Sequence, residues 1–183
     1  MNKLVLMIIA GISILFSPCR GGDQFPVQSP RGDYAVESRP DKQTGLFTLW
    51  IVSTDTKAEK VLYQYSRDVR LVISPNGEYI AINTHYSSTD SDVLIFKKKS
   101  GVIFEMISGL RMAELVKVFY EKATHKVFPY DHWYVDCLDW SNDSKVMLLK
   151  AYGTGDEERL NGWYCAFDLG TRSLSFSLSE MNK

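Results

Sequence analysis

The sequence predicts an all-β fold of three four-stranded repeat units with one helix inserted between the second and the third. A tight-turn motif recurs three times, short β-branched and aromatic runs flank each copy, and one stretch of helical periodicity explains the single irregular spacing.

The turns are Ser29-Pro30-Arg31-Gly32-Asp33-Tyr34, Ser74-Pro75-Asn76-Gly77-Glu78-Tyr79 and Ser141-Asn142-Asp143-Ser144-Lys145-Val146. Proline sets φ near −65° and glycine accepts a left-handed conformation, which is a mechanism for a hairpin. The third copy lacks both residues and is expected to make the same turn through side-chain hydrogen bonds. Arg31-Gly32-Asp33 matches an adhesion tripeptide, but the turn accounts for all three residues.

First strands are expected at 25–27, 69–73 and 135–140, and second strands at 34–36, 79–82 and 146–149. Third strands fall at 46–52, 93–96 and 163–167, and fourth strands at 60–63, 102–107 and 173–178. The units therefore run over about residues 24–66, 67–107 and 131–183. Tyr79, Ile80, Ile82, Trp140, Met147 and Leu149 are the expected core of the second and third units.

From Ser29 to Ser74 is 45 residues, and from Ser74 to Ser141 is 67. Residues 109–123 carry apolar side chains at Met112, Leu115, Val116, Phe119 and Ala123, with charges on the other faces. That spacing is helical and assigns the surplus to an insertion over 108–130. Its apolar stripe either caps the sheets or docks a partner.

Four strands in about 45 residues, opened by such a turn, resemble the blades of β-propellers. The chain is similar to WD-repeat-like blades, to bacterial periplasmic propellers related to the Tol-system propeller protein, and to the propeller domains of prolyl oligopeptidases. These carry a W-S-P-D-G-x-x-I-A stretch; here it reads Ile73-Ser74-Pro75-Asn76-Gly77-Glu78-Tyr79-Ile80-Ala81 and, more loosely, Trp140-Ser141-Asn142-Asp143-Ser144-Lys145-Val146-Met147. The resemblance concerns the structural repeat alone. Propellers usually have four to eight blades, so three imply an incomplete, open or sandwich-like arrangement, a divergent fourth unit, or two chains completing a six-bladed ring.

Residues 1–22 read as a signal peptide, with Lys3 before an apolar run from Leu4 to Phe16, too short for the roughly 20 residues of a membrane span. Residues 23–183 then form a single domain, exported to the periplasm or secreted. Lipid anchoring through Cys19 is less favoured because Pro18 stands where a small residue is needed. Loss of Lys3 and Arg20 leaves 19 basic against 22 acidic residues, a net charge of −3, which disfavours nucleic acid as a partner.

Cys137 and Cys165 fall on first and third strands of one unit, about 10 Å apart. A disulfide needs Cα atoms within about 7 Å, so their pairing stays open. No metal-ligand spacing, nucleophile elbow or phosphate loop occurs, so neither cofactor nor metal is expected.

In a propeller blade the connections between strands two and three, and from strand four to the next blade, emerge at one end, where binding residues tend to lie. The candidates there are His85, Asp90, Asp92, His132, Trp133, Glu157 and Arg159. The expectation is a non-enzymatic binding or interaction module whose partner is another envelope or extracellular protein, with a homo-oligomer left open. The alternatives are a small hydrolase or lyase using His132 or His85 with Asp131, Asp90 or Asp92, and a structural envelope protein.

Overall fold

The computed structural model describes residues 25–127, 130–156 and 159–176. The predicted signal peptide, Glu157 and the end of the last predicted strand lie outside them.

Twelve strands and one helix form, among the described residues, three separate four-stranded antiparallel meanders. Blade one comprises β1 (Val27–Gln28), β2 (Tyr34–Pro40), β3 (Phe47–Ser53) and β4 (Glu59–Tyr65). Blade two comprises β5 (Val69–Ile73), β6 (Tyr79–His85), β7 (Ser91–Ser100) and β8 (Ile103–Met106). Helix α1 (Met112–Thr124) follows, and blade three comprises β9 (His132–Trp140), β10 (Val146–Thr154), β11 (Arg159–Asp168) and β12 (Ser173–Ser175). Each strand runs beside its sequence neighbour, so this is an open array of propeller-type blades.

The repeated turns fold alike. In each the amide of the fourth residue donates to the serine carbonyl, at 2.8–2.9 Å in Gly32, Gly77 and Ser144. That fourth residue is left-handed in all three, with φ of 72°, 67° and 62°. Glycine adopts this freely, whereas Ser144 is held there by its context. The Ser141 hydroxyl donates to Asp143 Oδ1 (2.7 Å) and accepts from the Val146 amide (2.9 Å). Ser74 makes the same two bonds, to Asn76 Oδ1 (2.8 Å) and from the Tyr79 amide (2.9 Å), so this side-chain bonding accompanies Pro and Gly in the second turn and is not peculiar to the copy that lacks them. In the first turn Asp33 is occupied, accepting from Lys98 Nζ and from the Ser29 hydroxyl, which leaves the Arg-Gly-Asp sequence doing a turn's work.

Strand alternation gives each sheet two faces, and blade two has both covered. Ile80, Ile82, Leu71 and Phe96 pack on blade one's Tyr34, Val36, Leu49 and Ile51. Ala81, Val93 and Ile95 pack with blade three's Val135, Cys137, Trp140, Met147, Leu149 and Phe167. The expected core residues are buried except Tyr79, which is half-buried and stacks on Trp140 with ring centroids 5.7 Å apart. Trp140 also donates from Nε1 to the Val72 carbonyl (3.0 Å), tying the two blades together.

Helix α1 belongs to this second core. Met112, Val116 and Tyr120 are buried among residues of blades two and three. Phe119 packs on Trp163 and Phe176, and Tyr120 on Trp133 and Trp163. Of the two roles open to its apolar stripe, the helix takes the first and caps the sheets. The stripe is turned slightly from the expected one: Tyr120 is buried while Leu115 is exposed. Cys137 and Cys165 are free and buried, standing on β9 and β11 on either side of Leu149 in β10.

Candidate functional site

The β4–β5 connection, the β6–β7 loop and the β10–β11 loop lie at one end of the array, where β9 begins. Between blades two and three this end opens into a groove of about 560 Å³ lined by Arg67, Asp68, His85, Ser87, Ser88, Tyr134 and Tyr152.

Strand register builds its aromatic floor. Tyr134 of β9 and Tyr152 of β10 are direct cross-strand partners, and their rings stack at 5.1 Å and 20°. His85, the last residue of β6, brings its ring to 5.9 Å from Tyr134, so blade two contributes one wall. The Tyr134 hydroxyl donates to the Ser88 carbonyl and pins the β6–β7 loop across the groove. Lys150 Nζ lies 5.3 Å over the far side of Tyr152.

Behind the floor, the Tyr152 hydroxyl lies against Asp136. Burial, and then the negative charge of Asp136, push the Tyr152 phenol well above its usual range, so it stays protonated and able to donate. Asp136 Oδ1 is enclosed without a hydrogen-bond partner.

A second cavity of about 460 Å³ sits beside the start of α1, with Tyr86, Asp90, Asp92, Arg111, Glu114, Lys117 and Asp131 among its lining. Asp92 caps the helix here. Its Oδ1 accepts from the amides of Val93 (2.8 Å) and Ala113 (2.9 Å), whereas Arg111 at the N-cap position makes no side-chain cap bond. Burial raises the Asp92 pKa above its usual value, only partly offset by those amides.

The other sequence candidates separate by role. Trp133 is buried, donating from Nε1 to the Ala113 carbonyl (3.2 Å) and stacking on Tyr130, so it anchors the helix. Asp90 accepts from the Ser87 and Thr89 hydroxyls and shapes its own loop. His132 is exposed where β9 pairs with Thr154 of β10. Arg159 is exposed and lines a third cavity of about 380 Å³ that shares Tyr134 and Tyr152 with the groove. Of the candidates, His85 lines the groove itself. It stands apart from Asp90, Asp92 and Asp131, which line the second cavity.

Arg67, Asp68, Tyr134 and Tyr152 were not picked out by the sequence reading. The available signal was alternation in His132-Trp133-Tyr134-Val135-Asp136, which puts Trp133 and Tyr134 on opposite faces. Aromatic residues on both faces hide which one is buried. Among the described residues no group of three or more His, Cys, Asp or Glu side chains is arranged to hold a metal, and no helix is long and apolar enough to cross a membrane.

No protein-family model matches the chain, and no curated protein matches it. Among solved structures it is similar to TolB from Acinetobacter baumannii, at 9% identity and a TM-score of 0.46, over 82% of this chain and 30% of that one. It is similar to an uncharacterized protein from Listeria monocytogenes, at 10% identity and a TM-score of 0.49, over 82% of this chain and 38% of that one. A third likeness is to the β-propeller domain of the Trilobed protease from Pyrococcus furiosus, which has an open velcro topology: 11% identity and a TM-score of 0.33, over 85% of this chain and 56% of that one. The chain thus spans well under half the length of the first two proteins.

Proposed function

We propose that this chain is an exported, non-enzymatic binding module that holds a segment of another envelope or extracellular protein in the groove between blades two and three. The observation that carries the reading is the His85–Tyr134–Tyr152 floor, flanked by Arg67 and Asp68 and presented on two packed sheets. Stacked aromatic rings offer large contact area at low conformational cost, and aromatic and arginine residues are the usual anchors of protein interfaces. Rigid sheets beneath them keep the groove preformed, which lowers the entropy lost on binding. Export is supported by the leader-like composition of residues 1–22.

The reading is tested by placing a photo-crosslinking residue at Ser87 and irradiating cells that express the full chain. A discrete protein adduct is expected, and His85→Ala with Arg67→Ala should reduce it roughly tenfold or more, the usual scale of interface anchors. An adduct that persists in the double variant, or none at all, would sink the groove as the binding site.

A further inference from the structure

Among the described residues, blade two is covered on both faces, but blade one and blade three each keep one face without a neighbouring blade. The second strands show what these faces are made for. Eight positions after each turn serine stand Glu37, Ile82 and Leu149, and nine positions after stand Ser38, Asn83 and Lys150. Ile82 points back into the core shared with blade one, and Leu149 back into the core shared with blade two. Asn83 points forward, its carboxamide bracketing the Cys137 backbone at 2.7 and 2.9 Å, beside Leu149. By the same alternation Glu37 points out of blade one and Lys150 out of blade three, at matching levels of the repeat.

At this level the free face of blade three carries Lys150, cross-strand from Asp136, and that of blade one carries Glu37, where the junction of blades two and three sets the neutral Asn83 beside the apolar Leu149. On blade one Glu37 lies beside Glu59 around Arg39, two carboxylates to one guanidinium, so the patch keeps a negative charge. Both faces also hold apolar bulk. Val61, 45% exposed, pairs with Trp50 on blade one, and Tyr164, 46% exposed, pairs with Lys150 on blade three.

We infer that a second copy of this chain covers both faces: blade three of each copy docks on blade one of the other about a twofold axis, closing a six-bladed ring with two identical junctions. Six blades fall within the range of closed propellers, and a twofold arrangement satisfies both free faces with a single kind of interface. The Lys150–Glu37 pair forms twice, once at each junction. The inference stands on observations other than those behind the proposed groove function, and the two meet at Tyr152 of the groove floor, which lies two residues from Lys150 on the same face of β10.

Light scattering on the purified mature chain is expected to give twice the mass of one chain. Lys150→Glu and Glu37→Lys should each weaken the dimer roughly a hundredfold through like-charge contact, and the double reversal should restore it. A monomeric wild type, or single reversals that leave the dimer intact, would overturn the proposal. Should a reversal fail to fold by circular dichroism, the chain carrying Glu37→Cys and Lys150→Cys decides. Oxidation then links two chains if the ring forms, and absence of that link refutes it.

Discussion

Asp92 shows how one side chain can look catalytic in sequence and be structural in the fold. It is half-buried, its pKa is raised, and it lies in a cavity, yet its oxygen is taken by the amides of Val93 in β7 and Ala113 at the start of α1. A carboxyl whose folded pKa lies above its unfolded value of 3.8 binds more protons in the native state, so its effect on stability becomes unfavourable as pH rises through that window. Asn supplies the same acceptor without the charge. Asp92→Asn is therefore expected to match wild type below about pH 3.8 and to gain in melting temperature toward pH 7. Asp92→Ala should cost about 1 kcal/mol, as lost helix caps do. Thermal denaturation across this pH range checks both; a flat Asn difference would mean the charge is not penalised. The groove residues teach the complement. Tyr134 and Tyr152 are ordinary strand residues until register sets them side by side, and His85 joins them only because β6 ends where β9 passes.

Among the elements, strands and turns were legible and the role of the helix was not. β5 spans the very residues read from the sequence, and the turn repeat sets the second strands. Longer strands than expected, such as β10 to Thr154, follow from pairing: β9 and β11 offer partners to residues that carry no strand signal, Lys150 and Gly153 among them. The helix was readable from its period, but which core its stripe enters depends on where blades two and three leave room. A chain in which a short glycine linker joins Ile107 to Asp131 loses Met112, Val116 and Tyr120 from the core. Each large buried side chain removed typically costs about 2–5 kcal/mol, so this variant is expected to lose cooperative unfolding in urea. Retention of a sharp transition near the wild-type midpoint would show that blades two and three pack without the helix.

At the scale of the whole molecule, two cores share one central blade, and the loop end gathers the groove residues from both sides of a blade junction. The junction is rigid because its bonds cross it: Asn83 to Cys137, Trp140 to Val72, and Asn76 to Ser144. The proposed export concerns the whole chain too. It predicts a mature protein beginning near Arg20 or Gly22, read by mass spectrometry of protein from the cell envelope; full-length chain recovered from the cytosol would contradict it.

By itself the sequence determined what local chemistry controls: the number of repeats, the three turns, the strand order within each unit and the presence of one helix. Those follow from φ restrictions at Pro and Gly and from the periods of apolar residues, which act over a few positions. Tertiary structure decided which face of each element is buried, as with Trp133 against Tyr134, and which side chains meet across a junction. Asp92 reaches Ala113 and His85 reaches Tyr134 across 21 and 49 positions of chain. Such contacts are set by how sheets pack on one another, and packing depends on all the side chains of an interface together, so no stretch of sequence carries it.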